Sequence, residues 1–430
     1  MDLELDRTPS AESARNVAPS PEARLALLGL GRVGRAVAGL LDEEPCCLGR
    51  PARITAALVR SAPPERRMRR PVVEDAAAIF ESRPDVVVEV LGGLEPARTI
   101  VRHALALGLP VITANKSLLA AHGDELIEVA SRSGAAFRFE AAVIAGVPFL
   151  GTLARRPLAA RVTGAAGVLN GTSNFVLTRM SAGATCAGAL VDAQRLGLAE
   201  PDPSNDVNGT DAAEKLVVLL RHLAGIGVAA SEVPRWSLDA VAPGDLEHAR
   251  ALGGTLKPVA FAEWTAGEVA CASGPAFVHA RDPLALLEGV ENGIRLHRDG
   301  TPPLTFSGPG AGPEVTARTI LDDVREVLDG QGRLDLHRRS RTGRIRLPDG
   351  AWYLRLRAPR LPAPGTLASV MANHGVWIER WSATDTRTGT DERRLLTFPC
   401  SAQKLHGALH ALNTAAGCAA AAFPGLGSPG

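Results

Sequence analysis

The chain has 430 residues, 46% of them hydrophobic and 22% charged, with a formal net charge of +1. That length exceeds one hydrophobic core and implies two or three domains, and the near-neutral balance gives no electrostatic case for nucleic acid or an anionic membrane. The six cysteines (Cys46, Cys47, Cys186, Cys271, Cys400, Cys418) show neither C-x-x-C nor zinc-ligand spacing, no leader pattern opens the chain, and no apolar run reaches roughly 18 residues, so a cytoplasmic protein is expected.

Residues 1–22 are polar and read as a disordered tail. A short apolar strand from Arg24 then runs into Gly29, Gly31 and Gly34, spaced G-x-G-x-x-G, followed by a helical stripe of Val33, Ala36, Val37, Leu40 and Leu41. Gly29 permits a tight turn, Gly31 lets backbone approach a pyrophosphate, and Gly34 allows close helix–strand packing. The segment Gly29, Leu30, Gly31, Arg32, Val33, Gly34 is therefore the expected phosphate cradle at a helix N-terminus. Alone the spacing is weak evidence; a strand before it and a helix after it make it credible.

Further apolar strands at Ile54–Val59, Asp85–Leu91, Val111–Ala114 and Ala136–Glu140 alternate with helical patterns, predicting an α/β fold with a doubly wound, Rossmann-type parallel sheet over residues 23–150. At the end of the second strand, where an acidic residue would hold a ribose hydroxyl, stand Arg60 and Ser61, then Arg66, Arg67, Arg69 and Arg70. Guanidinium groups suit a 2′-phosphate, which favours NADP over NAD; the other reading is a solvated basic loop. Gly92, Gly93, Thr113 and Lys116 lie in loops after the third and fourth strands, the side of an open sheet on which ligands sit. Lys116 is either at the nicotinamide end of that crevice or a surface lysine capping a loop.

The stretch from Leu169 to Lys215 carries the densest chemistry: an Asn-Gly-Thr-Ser-Asn turn, then Ala-Glu-Pro-Asp-Pro, then Asp211 and Lys215. Their four-residue separation puts both on one face of a helix that continues into an apolar run. An acid and a base are thus aimed by a buried scaffold; the bland alternative is an exposed pair stabilising the helix by about 0.2–0.5 kcal/mol. Gly308-Pro-Gly-Ala-Gly312 precedes a helical pattern from Val315 to Leu328, so residues 308–331 are expected to return to the nucleotide half, and the basic stretch 332–349 reads as a linker. A strand (Trp352–Ala358), a Pro364-Gly365 turn, a helix (Thr366–Asn373), two strands (Gly375–Trp381, Arg393–Phe398) and a helix (Ala402–Thr414) make a small module over 350–416, with 417–430 as a tail.

Seven segments resemble homoserine dehydrogenase, in that family's order. They are Leu91-Gly-Gly-Leu-Glu-Pro-Ala, Val111-Ile-Thr-Ala-Asn-Lys, Phe139-Glu-Ala-Ala-Val, Leu169-Asn-Gly-Thr-Ser-Asn, Ala199-Glu-Pro-Asp-Pro, Asp206 to Lys215, and Gly308 to Ala317. The resemblance implies interconversion of aspartate semialdehyde and homoserine with a nicotinamide cofactor, in an α+β substrate-binding and dimerisation domain over 151–307. It implies proton transfer by Lys116 and Lys215, with Asp211 orienting lysine or substrate. Glu200 would hold the substrate ammonium, Asp206, Gly171 and Thr172 would line the substrate, and Gly312 would meet the cofactor. It also implies a Na+ or K+ ion on Glu140, Val143, Ala145 and Val147, and a homodimer or homotetramer. Asn205 stands where an acid is often seen. The C-terminal module resembles the ferredoxin-like ACT regulatory module, but Pro362 replaces the Asp usual two residues before Pro-Gly, so threonine feedback is not expected. Two rivals remain: a related dehydrogenase with another aldehyde substrate, and a catalytically silent sensor, against which both lysines argue.

Overall fold

A computed structural model describes residues 22–60, 71–265, 267–310, 312–330, 340–386 and 389–426. The expected tail through residue 21, the segment with Ser61, Arg66, Arg67, Arg69 and Arg70, and residues 331–339 lie outside them. The chain divides into two units: Met1–Ala159 with Val218–Gly227 and Ala311–Arg341, and Ala160–Val217 with Val228–Gly310 and Thr342–Gly430.

In the first unit β1 (Ala23–Leu28), β2 (Ala52–Leu58), β3 (Val72–Val73), β4 (Val86–Glu89), β5 (Val111–Thr113) and β6 (Phe137–Arg138) form one parallel sheet in the order β3-β2-β1-β4-β5-β6. Leu25, Leu27, Val86 and Val88 are buried, as expected where helices cover both faces of a sheet and strands read as continuous apolar runs. Val37 and Leu41 of the helix Arg32–Glu43 share that core with Ile320 and Val324 of the helix Pro313–Leu328. The strand order reverses between β1 and β4, and this places a ligand crevice beyond their carboxyl ends. β2 and β5 stop one residue, and β4 and β6 two residues, earlier than the sequence pattern suggests. β4 ends at Glu89 because the backbone turns into Gly92 and Gly93, both at positive φ, and β6 ends at Arg138 because Glu140 opens a helical turn (Glu140–Val143).

The second unit is built on a six-stranded sheet in the order Thr301–Pro309, Glu291–Arg298, Val162–Val168, Gly254–Trp264, Glu268–His279, Arg344–Arg346. All neighbours are antiparallel except the last pair. Part of the expected linker is a strand: Arg344–Arg346 is a sheet edge with Arg344 and Arg346 exposed. Edge strands commonly carry such charges, which block further pairing, and three residues are too few to show an alternating pattern.

The same unit holds a four-stranded antiparallel sheet in the order Ile378–Trp381, Asp391–Thr397, Trp352–Ala358, Ala419–Pro424, with helices Pro364–Asn373 and Ala402–Ala416. This is the β-α-β-β-α-β order of a ferredoxin-like module, and it corrects two expectations. The supposed tail 417–430 supplies the last strand, hidden because Ala419-Ala-Ala-Ala carries no β-branched residue. Pro364-Gly365 is not a turn, since Pro364 sits at the first position of its helix, where its fixed φ and missing N–H do no harm. The module shares a core with the rest of the unit: Tyr353, Leu396 and Phe423 pack with Val176, Leu177, Met180 and Leu246. Among the described residues no helix is long and apolar enough to cross a membrane.

Candidate active site

The phosphate cradle follows directly from its glycines. Gly29 has φ +106°, and a Cβ there would lie 2.8 Å from the Val90 carbonyl; at Gly34 it would lie 2.1 Å from the Gly29 carbonyl. At Gly31 a Cβ would meet nothing within 4 Å, which leaves the approach open. Gly31 begins the helix Arg32–Glu43 without a side-chain cap, the kind of helix N-terminus that suits an anion. Leu30 and Val33 are half-buried beside it and Arg32 is exposed. Arg60 is exposed just past the end of β2. These residues fit a dinucleotide.

Beyond β4 and β5 lies a network that sequence reading did not single out. Glu89 is fully buried; its Oε1 accepts the Leu91 N–H at 2.9 Å and Asn115 Nδ2 at 3.3 Å, and its Oε2 accepts the Thr113 hydroxyl. Asn115 caps the helix Lys116–Ser133 by accepting the Leu118 N–H at 3.1 Å, and donates to the Gly93 carbonyl at 2.8 Å. Burial pushes the Glu89 carboxyl above its usual range, opposed by hydrogen bonds from Thr113, Leu91, Asn115 and Gly92. Lys116, half-buried, is the first residue of that capped helix. A lone acid ending an apolar strand was the available signal for Glu89, and an Asn before a helix pattern was the signal for Asn115.

Glu140 ends as an N–H acceptor. Its carboxylate takes the backbone N–H groups of Phe149 at 3.1 Å, Leu150 at 2.9 Å and Gly151 at 2.7 Å, at the start of the helix Leu150–Arg155. Val143, Ala145 and Val147 are buried close by in sequence, and the Val147 carbonyl accepts the Phe149 N–H at 2.8 Å. Three of the roughly four lone-pair sites of the carboxylate are so engaged, which leaves one on Oε2 for a monovalent cation, beside backbone carbonyls such as those of Val143 and Ala145. Asp323 accepts the Glu140 N–H at 3.1 Å. Its carboxyl is pushed up to about 8, by burial first and the Glu140 charge second. Among the described residues no group of three or more His, Cys, Asp or Glu could hold a metal ion. Gly312, with φ +118°, precedes the helix Pro313–Leu328, and a Cβ there would meet nothing within 4 Å.

In the second unit the chemistry converges on Asn170, the first residue of the Asn-Gly-Thr-Ser-Asn segment, to which the sequence assigned no role of its own. It follows the strand Val162–Val168 and caps the helix Gly171–Ser181, accepting the Ser173 N–H at 2.7 Å. Its Nδ2 donates to Asp206 Oδ1 at 2.7 Å and to Asp211 Oδ2 at 2.8 Å. Asp211 Oδ2 is also 2.9 Å from Lys215 Nζ, as the helical spacing requires, and Nζ donates to the Leu169 carbonyl at 2.7 Å. Both side chains of this pair are largely buried, at 15% and 10% exposure, so the solvated-pair alternative fails. Asn292 Nδ2 holds the Gly310 carbonyl at 3.1 Å and reaches the Leu169 carbonyl at 3.5 Å. Gly171 is buried at the helix start, and the Thr172 hydroxyl donates to the Leu198 carbonyl at 2.7 Å. Glu200 is exposed, and its carbonyl accepts Gln194 Nε2 at 3.2 Å.

Residues 29–140 match the model of the homoserine dehydrogenase NAD-binding domain, and residues 148–324 match the homoserine dehydrogenase family model. A homoserine dehydrogenase from Lactococcus lactis is 34% identical over 315 residues, covering 71% of this chain and 74% of its own. The crystal structure of a homoserine dehydrogenase from Thiobacillus denitrificans superposes with a TM-score of 0.85 at 28% identity, covering 94% of this chain and 98% of that one. A hyperthermophilic archaeal homoserine dehydrogenase in complex with NADPH gives 0.62 at 26% identity, over 73% of this chain and 99% of that one. The chain belongs to the homoserine dehydrogenase family, oxidoreductases that act on a CH–OH group with a nicotinamide cofactor.

Proposed function

We propose that this protein interconverts aspartate 4-semialdehyde and homoserine, prefers NADP to NAD, and uses Lys215 as the group that moves the proton. The observation that carries the reading is the tethering of Lys215. An ammonium has three N–H donors; two are directed at Asp211 Oδ2 and the Leu169 carbonyl, which leaves the third to be offered to a substrate oxygen. The bound nicotinamide cofactor supplies or accepts the hydride. As the aldehyde oxygen gains charge, the Lys215 ammonium stabilises and protonates it; in the reverse direction neutral Lys215 takes the alcohol proton. Asp211 keeps the lysine aimed, and Asp206, Gly171 and Thr172 shape the substrate side.

Lys116 is the second proton-transfer candidate, at the start of its capped helix. Glu200 is assigned to the substrate ammonium because an exposed carboxylate is free to swing onto a cation. Arg60 is assigned to the 2′-phosphate, Gly92, Gly93, Thr113 and Gly312 to the cofactor, and a homodimer or homotetramer is the proposed assembly. The C-terminal module is proposed as ACT-like, on its strand order. The test is NADPH oxidation with aspartate 4-semialdehyde, run beside other short aldehydes and beside NADH. The proposal expects aspartate 4-semialdehyde and NADPH to give the highest kcat/KM; a tenfold preference for another aldehyde would replace the substrate, and one for NADH the cofactor.

A further inference from the structure

We infer that Glu89 is a positioning residue that locks the Gly92-Gly93 loop and the start of the Lys116 helix into one arrangement, so that cofactor binding and the Lys116-dependent step are set by a single buried carboxylate. The inference rests on the reading of Lys116 as a catalytic group.

The environment of Glu89 explains why an acid stands there. It ends β4, a strand whose other residues are buried valines, and an ion in such a place is costly unless fully hydrogen-bonded. Among the described residues four donors converge on it. The Leu91 and Gly92 N–H groups come from the loop after β4, and the Thr113 hydroxyl and Asn115 amide from the loop after β5. The Thr113 oxygen already accepts the Asn115 N–H at 3.0 Å, which turns its own hydrogen toward Glu89. Only an acceptor-only side chain satisfies such a set, and an ionised carboxylate is one. The two loops follow neighbouring parallel strands but touch different things. One carries Gly92 and Gly93, whose Gly93 carbonyl is held by Asn115 at 2.8 Å; the other carries Asn115, whose Oδ1 caps the helix that Lys116 begins. Asn115 thus reads the position of Glu89 and passes it to the helix start.

A purely structural carboxylate and a positioning one differ in how their loss combines with the loss of Lys116. Glu89→Gln keeps the shape but turns an N–H₂ toward existing donors. A displacement of the order of 1 Å at a reacting group costs up to about 10²-fold in rate. Glu89→Gln should therefore lower kcat about 10- to 100-fold and weaken NADPH, measured by quenching of its fluorescence, a few-fold. On a Lys116→Ala background the same substitution should change kcat by less than about 2-fold, because residues acting as a unit are non-additive. The full factor on both backgrounds, or Glu89→Gln with wild-type kcat and NADPH affinity, overturns the inference. If Lys116→Ala itself keeps wild-type kcat, the Lys116 reading falls and takes this inference with it; if Lys116→Ala is inactive while Glu89→Gln is normal, this inference alone falls. Should Glu89→Gln fail to fold, Thr113→Val removes one of the same links and enters the same cycle, with the same two outcomes deciding it.

Discussion

Asp245 is fully buried at the contact between the C-terminal module and the rest of its unit, and its removal has a calculable cost. Its Oδ2 accepts Arg355 Nη1 and, at 2.8 Å, the Ala242 N–H; its Oδ1 accepts the Tyr353 hydroxyl at 3.2 Å and Arg394 Nε at 3.4 Å. Breaking a buried pair by deleting one partner costs about 3–5 kcal/mol, mostly from the orphaned charge. The structure argues for the lower end. Arg394 keeps Glu392 at 2.6 Å, and Tyr353 keeps the Asp245 carbonyl at 3.2 Å, while Arg355 retains the Ala240 carbonyl at 3.1 Å. About 3 kcal/mol, at about 2–4 °C per kcal/mol for a unit of this size, lowers the unfolding midpoint by about 6–12 °C. Calorimetry of Asp245→Ala measures it. Adding Arg355→Met to Asp245→Ala should restore part of the loss, since it removes the unpaired charge. A drop under about 2 °C, or a double variant that loses the sum of both single effects, would refute the reasoning.

Lys215→Ala should lower kcat and kcat/KM together by about 10²–10⁴-fold with NADPH affinity unchanged, and steady-state kinetics retaining a tenth of wild-type kcat would remove the lysine from the chemistry. Arg60→Ala should weaken NADPH by roughly one to two decades and spare NADH, the worth of a charge-assisted hydrogen bond at about 1.5–3 kcal/mol; equal losses for both cofactors in a titration would count against the 2′-phosphate assignment. At Gly34 an added Cβ would sit 2.1 Å from the backbone oxygen of Gly29, so Gly34→Ala should abolish NADPH binding or soluble folding, and a well-folded variant with normal affinity would contradict the packing argument. Millimolar threonine should leave activity within about 20% of its unliganded value, because Pro362 offers neither a side-chain carboxylate nor a backbone donor and a site that binds nothing shifts no equilibrium; clear inhibition would show the Pro362 reasoning to be wrong.

What the sequence made legible is what it encodes locally. The strand before Gly29, the helix after it and the one-face pairing of Asp211 with Lys215 all depend on spacings of a few residues, and all three recur in the structure. The α/β sheet followed from alternating patterns of the same short range. What stayed hidden depends on distance along the chain. Asn170 matters because folding brings it to Asp206 and Asp211, 36 and 41 residues away. Asp245 meets its arginines 110 and 149 residues later. No periodicity announces such partners. The last strand escaped for another reason: pairing with Trp352–Ala358 decides the fate of Ala419–Pro424, where intrinsic propensity is silent.

The Asn170 cluster also explains why an amide stands between two acids. Asp206 and Asp211 both approach one point, and two carboxylates facing each other repel. Asn170 Nδ2 carries two hydrogens and gives one to each acid, while its oxygen takes the Ser173 N–H, so the amide is satisfied on every side. An acid at that position would add a third negative charge, and an apolar residue would take from each carboxylate the donor that Asn170 supplies. With Asp211 held by Asn170 on one flank and by Lys215 on the other, the lysine has little freedom to swing. Its second tether, the Leu169 carbonyl, belongs to the residue immediately before Asn170. The position of the ammonium is thereby fixed by the residue that follows the strand Val162–Val168 and by the first turn of the helix Thr210–Ala224, elements rigid enough to hold a side chain closely in place.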